Sequence, residues 1–161
     1  MAGHALLNIR PARPRDAAAI LGFIRELAEY EKLLHEVVAD ETVIRETLFS
    51  DSPVARALIA ELGDVPVGFA LFHAMYSTFI GRHGIYLEDL YVQPAQRGRG
   101  IGRALLVQLA GIAVAEGACR LDWSVLDWNT PAIEFYQGIG AYPLSDWTRY
   151  RLDGEALEKL A

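Results

Sequence analysis

The sequence predicts a mixed α/β domain, an antiparallel-rich sheet with helices packed on it. Three observations carry this. Apolar residues recur at helical spacing in some stretches and fill short runs in others, and the two kinds interleave. The 161 residues match the size of one domain, spanning 1–161. Fifty-two per cent of residues are hydrophobic and 22 per cent charged, which gives apolar material for a core and argues against disorder.

The elements follow in order. Residues 5–10 form a strand, ended by Pro11. A helix begins near Pro14–Asp16, since Pro and Asp suit a first turn, and Ala17, Ile20, Ile24, Leu27 and Leu34 keep its spacing. A shorter helix covers 40–49, broken by Asp51-Ser52-Pro53. Residues 54–62 and 65–76 are two strands, and Gly63-Asp64 between them signals a tight antiparallel turn. Gly81 and Gly84 bracket the next turn, and 85–92 is a third strand of this group. After the loop 94–98 comes a helix with Ile101, Leu105, Leu106, Leu109, Ile112 and Ala113 on one face and Gly117 as its stop. Residues 119–126 read as a strand. Asn129 or Thr130 caps a short helix with Pro131 in its first turn; it carries Ile133, Phe135 and Tyr136 and stops at Gly138 or Gly140. Residues 147–152 read as a last strand and 155–160 as a last helical turn or two.

The formal net charge is −6, a poor match to nucleic acid or an anionic membrane. Most of it is local. Between Pro14 and Asp51 stand Asp16, Glu26, Glu29, Glu31, Glu36, Asp40, Glu41, Glu46 and Asp51 against Arg15, Arg25, Lys32 and Arg45. These acids read either as solvated helix faces or as a surface for a cation. The single cysteine, Cys119, excludes an internal disulfide and a cysteine metal cluster, and reads as a small core residue. His4, His35, His73 and His83 show no ligand spacing, so no metal is expected. His73, in an apolar run, reads as a structural residue. No stretch is long enough for a membrane span and the N-terminus lacks a leader pattern, so a cytoplasmic location is expected.

The strongest motif is Gln96-Arg97-Gly98-Arg99-Gly100-Ile101-Gly102, between a predicted strand and a predicted helix. Alternating glycines let the backbone turn tightly and present successive N–H groups, and the helix adds its partial positive charge. Arg97, Arg99 and Arg103 add full charges, so the loop reads as a pyrophosphate cradle. Its spacing differs from the dinucleotide fingerprint G-x-G-x-x-G, and it lacks the Gly-Lys-Ser/Thr of a triphosphate loop.

The loop resembles the acyl-CoA pyrophosphate loop of the GNAT acetyltransferases, and the element order resembles their fold. Three further segments are similar to the diamine (spermidine/spermine) N-acetyltransferase branch: the 25–31 run Arg-Glu-Leu-Ala-Glu-Tyr-Glu, the 86–92 run Tyr-Leu-Glu-Asp-Leu-Tyr-Val, and the 128–136 run Trp-Asn-Thr-Pro-Ala-Ile-Glu-Phe-Tyr. The resemblance implies a mostly antiparallel sheet of six to seven strands with splayed central strands, acetyl-CoA as cosubstrate and a homodimer. It places the cosubstrate against Leu90, Tyr91, Val92, residues 96–103, Asn129 and Tyr136. It places the acceptor amine against Glu29, Tyr30, Glu31, Phe79, Glu88, Asp89 and Trp147. Trp147 is otherwise expected in the core.

Acetyl transfer needs a neutral amine, a donor for the oxyanion, and a proton for the departing thiolate. In the family the tyrosine at the position of Tyr136 is the general acid, and a phenol with an ordinary pKa near ~10 is protonated at neutral pH. Glu88 is the candidate base; a carboxylate of ordinary pKa near ~4.3 acts through water and by stabilising positive charge. Neighbours on a strand face opposite ways, so Glu88 and Asp89 line one cleft only if a bulge intervenes. Ser77-Thr78-Phe79 departs from the polyamine enzymes, which carry an acid and a tryptophan there, and so a lysine-like amine is as good an acceptor as a polycation. Two other readings stay open: a protein lysine or N-terminal acetyltransferase, and a non-catalytic acyl-CoA sensor.

Overall fold

The computed structural model describes residues 6–161. Ala5, the first residue of the expected N-terminal strand, and His4 lie outside the described residues. The chain divides into two compact units, Met1–Ser124 and Val125–Ala161.

The first unit holds the sheet. Strands β1 (Leu7–Pro11), β2 (Arg56–Leu62), β3 (Val65–Ser77) and β4 (Arg82–Val92) pair antiparallel in that order, and β5 (Leu121–Trp123) joins β4 in parallel. The hairpin predicted at Gly63-Asp64 forms, with Leu62 opposite Val65. Gly84 lies inside β4, not in a turn; a side chain there would stand 3.2 Å from the backbone oxygen of Arg120, so the position needs glycine for close strand packing.

Helices cover both faces. A short 3-10 turn, Pro14–Asp16, leads into α1 (Ala17–Tyr30), and α2 (Glu41–Phe49) packs against it. Asp40 caps α2 by accepting a hydrogen bond from the Val43 amide at 2.9 Å. Leu34, expected on the first helix, lies beyond it in a separate 3-10 turn. The helix has ended by then, and the next turn places Lys32 at φ 64°. The core on this face contains Ile20, Phe23, Ile44, Leu48, Ile59, Phe69 and Tyr91. On the opposite face α3 (Ile101–Ala115) buries Ile101, Leu105, Leu106, Leu109 and Ala113, as its periodicity predicts.

Several sequence expectations fail. The sheet has five strands among the described residues, not six to seven. Residues 147–152 pair with no strand, and Trp147 is 77 per cent exposed, so it is not a core residue. Apolar alternation specifies a pleated face, but a strand also needs a ladder partner for its backbone. The strand expected over 119–126 shrinks to three residues for the same reason, and Cys119 is only half-buried. The second unit contains α4 (Thr130–Gly138), capped by the Asn129 side chain accepting from the Ala132 amide, and α5 (Gly154–Leu160).

One buried ionic cluster fastens β1 to β2 and to the start of α1. The Arg10 guanidinium donates to both oxygens of Asp16 at 2.7 and 2.9 Å, and its Nε donates to Glu61 at 2.8 Å. Arg10 holds both carboxyls below their ordinary values of 3.8 and 4.5. They therefore stabilise the fold above those values, and that contribution is lost as pH falls through the lower folded range. The substitution Arg10→Met strands two buried carboxylates and is expected to cost about 3–5 kcal/mol in urea unfolding at pH 7, with a smaller loss at pH 3.

Candidate active site

The site begins with a reversal of phase in β4. The Ile85 amide donates to Arg120 O at 3.0 Å, toward β5, whereas the Gln93 amide donates to Val67 O at 2.9 Å, toward β3. Both residues are odd-numbered, and in an unbroken strand their amides would face the same edge. The register supplies the reason: Phe72 pairs with Leu87 and Leu71 with Asp89, leaving Glu88 as an inserted residue. This is the bulge that the two neighbouring acids require.

The insertion has two effects. Side chains directly opposite in a ladder share a face. Leu87 stands opposite Phe72 on the α3 face, where Arg56 lies 4.9 Å over the Phe72 ring and pairs with Glu116 just beyond α3. Asp89 stands opposite Leu71, which packs on the α1 and α2 core. The bulge thus brings Glu88 and Asp89 to the face that α1 covers. The second effect concerns the backbone. Beyond Glu88 the amides of Leu90 and Val92 point away from β3. The β5 ladder stops opposite Leu87, so it does not cover them.

The acidic face has unusual electrostatics. Asp89 is half-buried, and its carboxyl is pushed up to about 6, first by burial and then by the charges of Glu88 and Glu31. Burial also raises Glu31, which caps the C-terminal end of α1. His73, set aside as structural on sequence grounds, stands on the same face. Its Nε2 lies 3.5 Å from Glu88 Oε2 and its ring 5.4 Å from that of Tyr86. Strand alternation from the core positions Phe69 and Leu71 to His73 was the available signal.

Beside this face lies a cavity of about 340 Å³, lined by Glu26, Glu29, Tyr30, Tyr91, Pro94 and Arg97. Glu29 and Tyr30, expected toward the amine, line it together with Arg97, expected toward the cosubstrate. Its guanidinium lies over the rings of Tyr30 and Tyr91, at 5.0 and 5.5 Å, and its Nε donates to Val92 O at 2.9 Å. Burial and a bond to Glu26 push the Tyr91 phenol up to about 12.

The glycine loop has the geometry of an anion cradle. Gly98 and Gly100 take φ of 75° and 77°, and a Cβ on either would meet nothing within 4 Å. Gly100 is the N-cap of α3, so the amides of Ile101, Gly102 and Arg103 open the helix with no helical carbonyl to reach. Arg99 and Arg103 are exposed there, with Arg99 donating to the Gln96 side chain. Open space, unsatisfied helix amides and two guanidinium groups fit a pyrophosphate such as that of acetyl-CoA.

Other residues are placed less usefully. Phe79 is 97 per cent exposed in the β3–β4 turn. In the second unit, Asn129 is buried as a cap, Tyr136 and Phe135 are half-buried with ring centroids 5.4 Å apart, and Trp147 is exposed. Among the described residues no cluster could hold a metal ion.

The acetyltransferase (GNAT) family model matches residues 16–141. The chain is 39 per cent identical to a thialysine N-epsilon-acetyltransferase of Mus musculus, over 98 per cent of both proteins. It is 30 per cent identical to an L-ornithine N5-acetyltransferase of Arabidopsis thaliana, over 98 per cent of this chain and 90 per cent of that protein. Among solved structures, an integron cassette protein from the mobile metagenome of V. cholerae superposes with a TM-score of 0.81 at 29 per cent identity, covering 96 per cent of each chain. The chain belongs to the acetyltransferase (GNAT) family. It is an enzyme of the N-acetyltransferase kind.

The raised Asp89 makes a stability prediction. Its carboxyl ionises near 3.8 in an unfolded chain and near 6 in the fold, so above pH 6 the folded state carries the cost of that charge. Asp89→Asn is expected to stabilise the protein by about 1–3 kcal/mol at pH 7.5, with the gain fading toward pH 4. Urea unfolding at the two pH values checks this.

Proposed function

We propose that this protein transfers acetyl from acetyl-CoA to the primary amine of a small cationic molecule, a diamine, polyamine or lysine-like amine. One observation carries the reading: the bulge sets the acids Glu88 and Asp89, with Glu31 near, beside the uncovered amides of Leu90 and Val92. Carboxylates there suit an ammonium, and amides suit the oxygen of a thioester. The named substrates of the relatives, thialysine and ornithine, are both short amines with a second charged end, and they support the same reading. Ser77, in the segment where polyamine enzymes carry an acid and a tryptophan, is buried and accepts a hydrogen bond from Arg120 at 3.2 Å. That arrangement favours a short acceptor over a long polycation.

The route we infer is direct attack with both substrates bound, which needs no covalent enzyme intermediate. The loop 96–103 holds the pyrophosphate, mainly through backbone amides and through Arg99 and Arg103. Glu88 takes the ammonium proton through water. The amides of Leu90 and Val92 donate to the carbonyl oxygen as charge develops, and Tyr136 gives a proton to the departing thiolate. The reading treats 1–161 as one acetyltransferase domain, supported by a family match that runs across the boundary between the two units. It includes a homodimer and a cytoplasmic location. Among the described residues no helix is long and apolar enough to cross a membrane.

The direct test follows thiol release from acetyl-CoA with thialysine, ornithine, spermidine and lysine-containing peptides. Turnover on the first two is expected to exceed that on spermidine. Turnover on peptides alone would make the protein a protein acetyltransferase, and acetyl-CoA binding with no transfer to any amine would make it a sensor. A second test uses Tyr136→Phe, expected to lower kcat by about 10²-fold or more while acetyl-CoA affinity stays within twofold. Unchanged kcat at saturating amine removes the proton-donor role.

A further inference from the structure

His73 is tied to Glu88 in a way that fixes where its protons lie. Its Nδ1 stands 3.1 Å from the backbone oxygen of Ala74. A carbonyl oxygen can only accept, so Nδ1 carries the hydrogen. In the neutral ring Nε2 is then a bare lone pair, and it points at Glu88 Oε2 at 3.5 Å. Two lone pairs in that position repel unless a proton lies between them. A proton that reaches Glu88 can therefore pass on to this lone pair across a short gap.

The surroundings hold this arrangement in place. The Tyr86 ring lies against the imidazole, and the Tyr86 hydroxyl is 2.7 Å from Ser124 Oγ. Opposite Tyr86 in the ladder, His73 is held by strand pairing and not by a loop. The other titratable groups on and beside this face are Asp89, Tyr86 and Tyr91 of β4 and Glu26, Glu29, Tyr30 and Glu31 at the end of α1. His73 lies within ion-pair distance of Glu88.

We infer that His73 is a positioning residue for the transfer reaction, which together with Glu88 stores the proton the acceptor amine gives up. The inference rests on the acetyltransferase reading above. In the step, an N–H bond of the ammonium breaks and its electron pair stays on nitrogen for attack on the thioester. The proton passes through water on Glu88 and forms the Nε2–H bond, leaving an imidazolium–carboxylate pair. Solvent takes that proton when the products leave. A carboxylate alone is a weak base toward an alkylammonium, and the imidazole supplies a better resting place for the proton.

Three variants and one spectrum test this. With thialysine as acceptor, His73→Gln keeps a hydrogen-bonding group toward Glu88 but cannot store a proton, and His73→Phe keeps only the stack on Tyr86. Both are expected to lower kcat about tenfold or more and to change the pH profile of kcat, with KM for acetyl-CoA within twofold. Free imidazole is expected to restore part of the kcat of His73→Ala. Turnover and pH profiles matching the parent in His73→Gln would overturn the inference. Failure of the parent protein to acetylate any amine would instead overturn the acetyltransferase reading. The ¹⁵N-resolved imidazole spectrum at pH 8 is independent of activity: the Nδ1–H tautomer is expected, and the Nε2–H tautomer would overturn the pairing whatever the kinetics show.

Discussion

The inserted residue in β4 is the constraint on which the candidate site depends. Were Glu88 paired in the ladder instead of bulged, strand alternation would keep Asp89 and Tyr91 on the face of Leu87, beneath α3. An acid would then sit among Leu105 and Leu109, and the Tyr91 ring would leave Phe23. With Glu88 inserted, one strand serves two environments. Its first half closes the α3 core, and its second half presents acids to the α1 side and amides to an edge without a partner. A bulge costs one ladder position, a modest cost beside that of a buried unpaired carboxylate.

The charge distribution takes on a different meaning once the residues are placed. The acidic run over residues 14–51 divides by role. Asp16 is held by Arg10 inside the fold, Asp40 caps a helix, and Glu41 pairs with Arg45 on an exposed helix face. What remains near the site is Glu26, Glu29 and Glu31, clustered at the end of α1. The arginines divide as well. Arg97 is engaged by two aromatic rings and a carbonyl oxygen, whereas Arg99 and Arg103 stand exposed at the start of α3.

What the sequence made legible follows how local each determinant is. The glycine loop could be read because left-handed glycines and a helix start are properties of a few adjacent residues. The hairpin at Gly63-Asp64 and the Asp40 and Asn129 caps were legible for the same reason. The bulge appeared only as a condition: two adjacent acids could share a cleft if one residue were extra, and the register that supplies it involves β3, some seventeen positions away. The approach of His73 to Glu88 was not legible because a histidine within an apolar run looks like core, and its neighbour lies on another strand. Residues 147–152 were misread in the opposite direction. Their aromatic and apolar residues suit a strand, but composition says nothing about whether a neighbouring backbone is present to pair.

The β4–β5 ladder, three residue pairs long, also sets an order of opening. Every antiparallel pair in the sheet is longer, and β1 and β2 are further tied by the Arg10 cluster. The chain leaves β5 directly into the segment that carries Asn129 and Tyr136. Local fluctuations that release only Leu121–Trp123 therefore leave the four antiparallel strands closed, and amide exchange at β5 runs at a lower free energy than global unfolding.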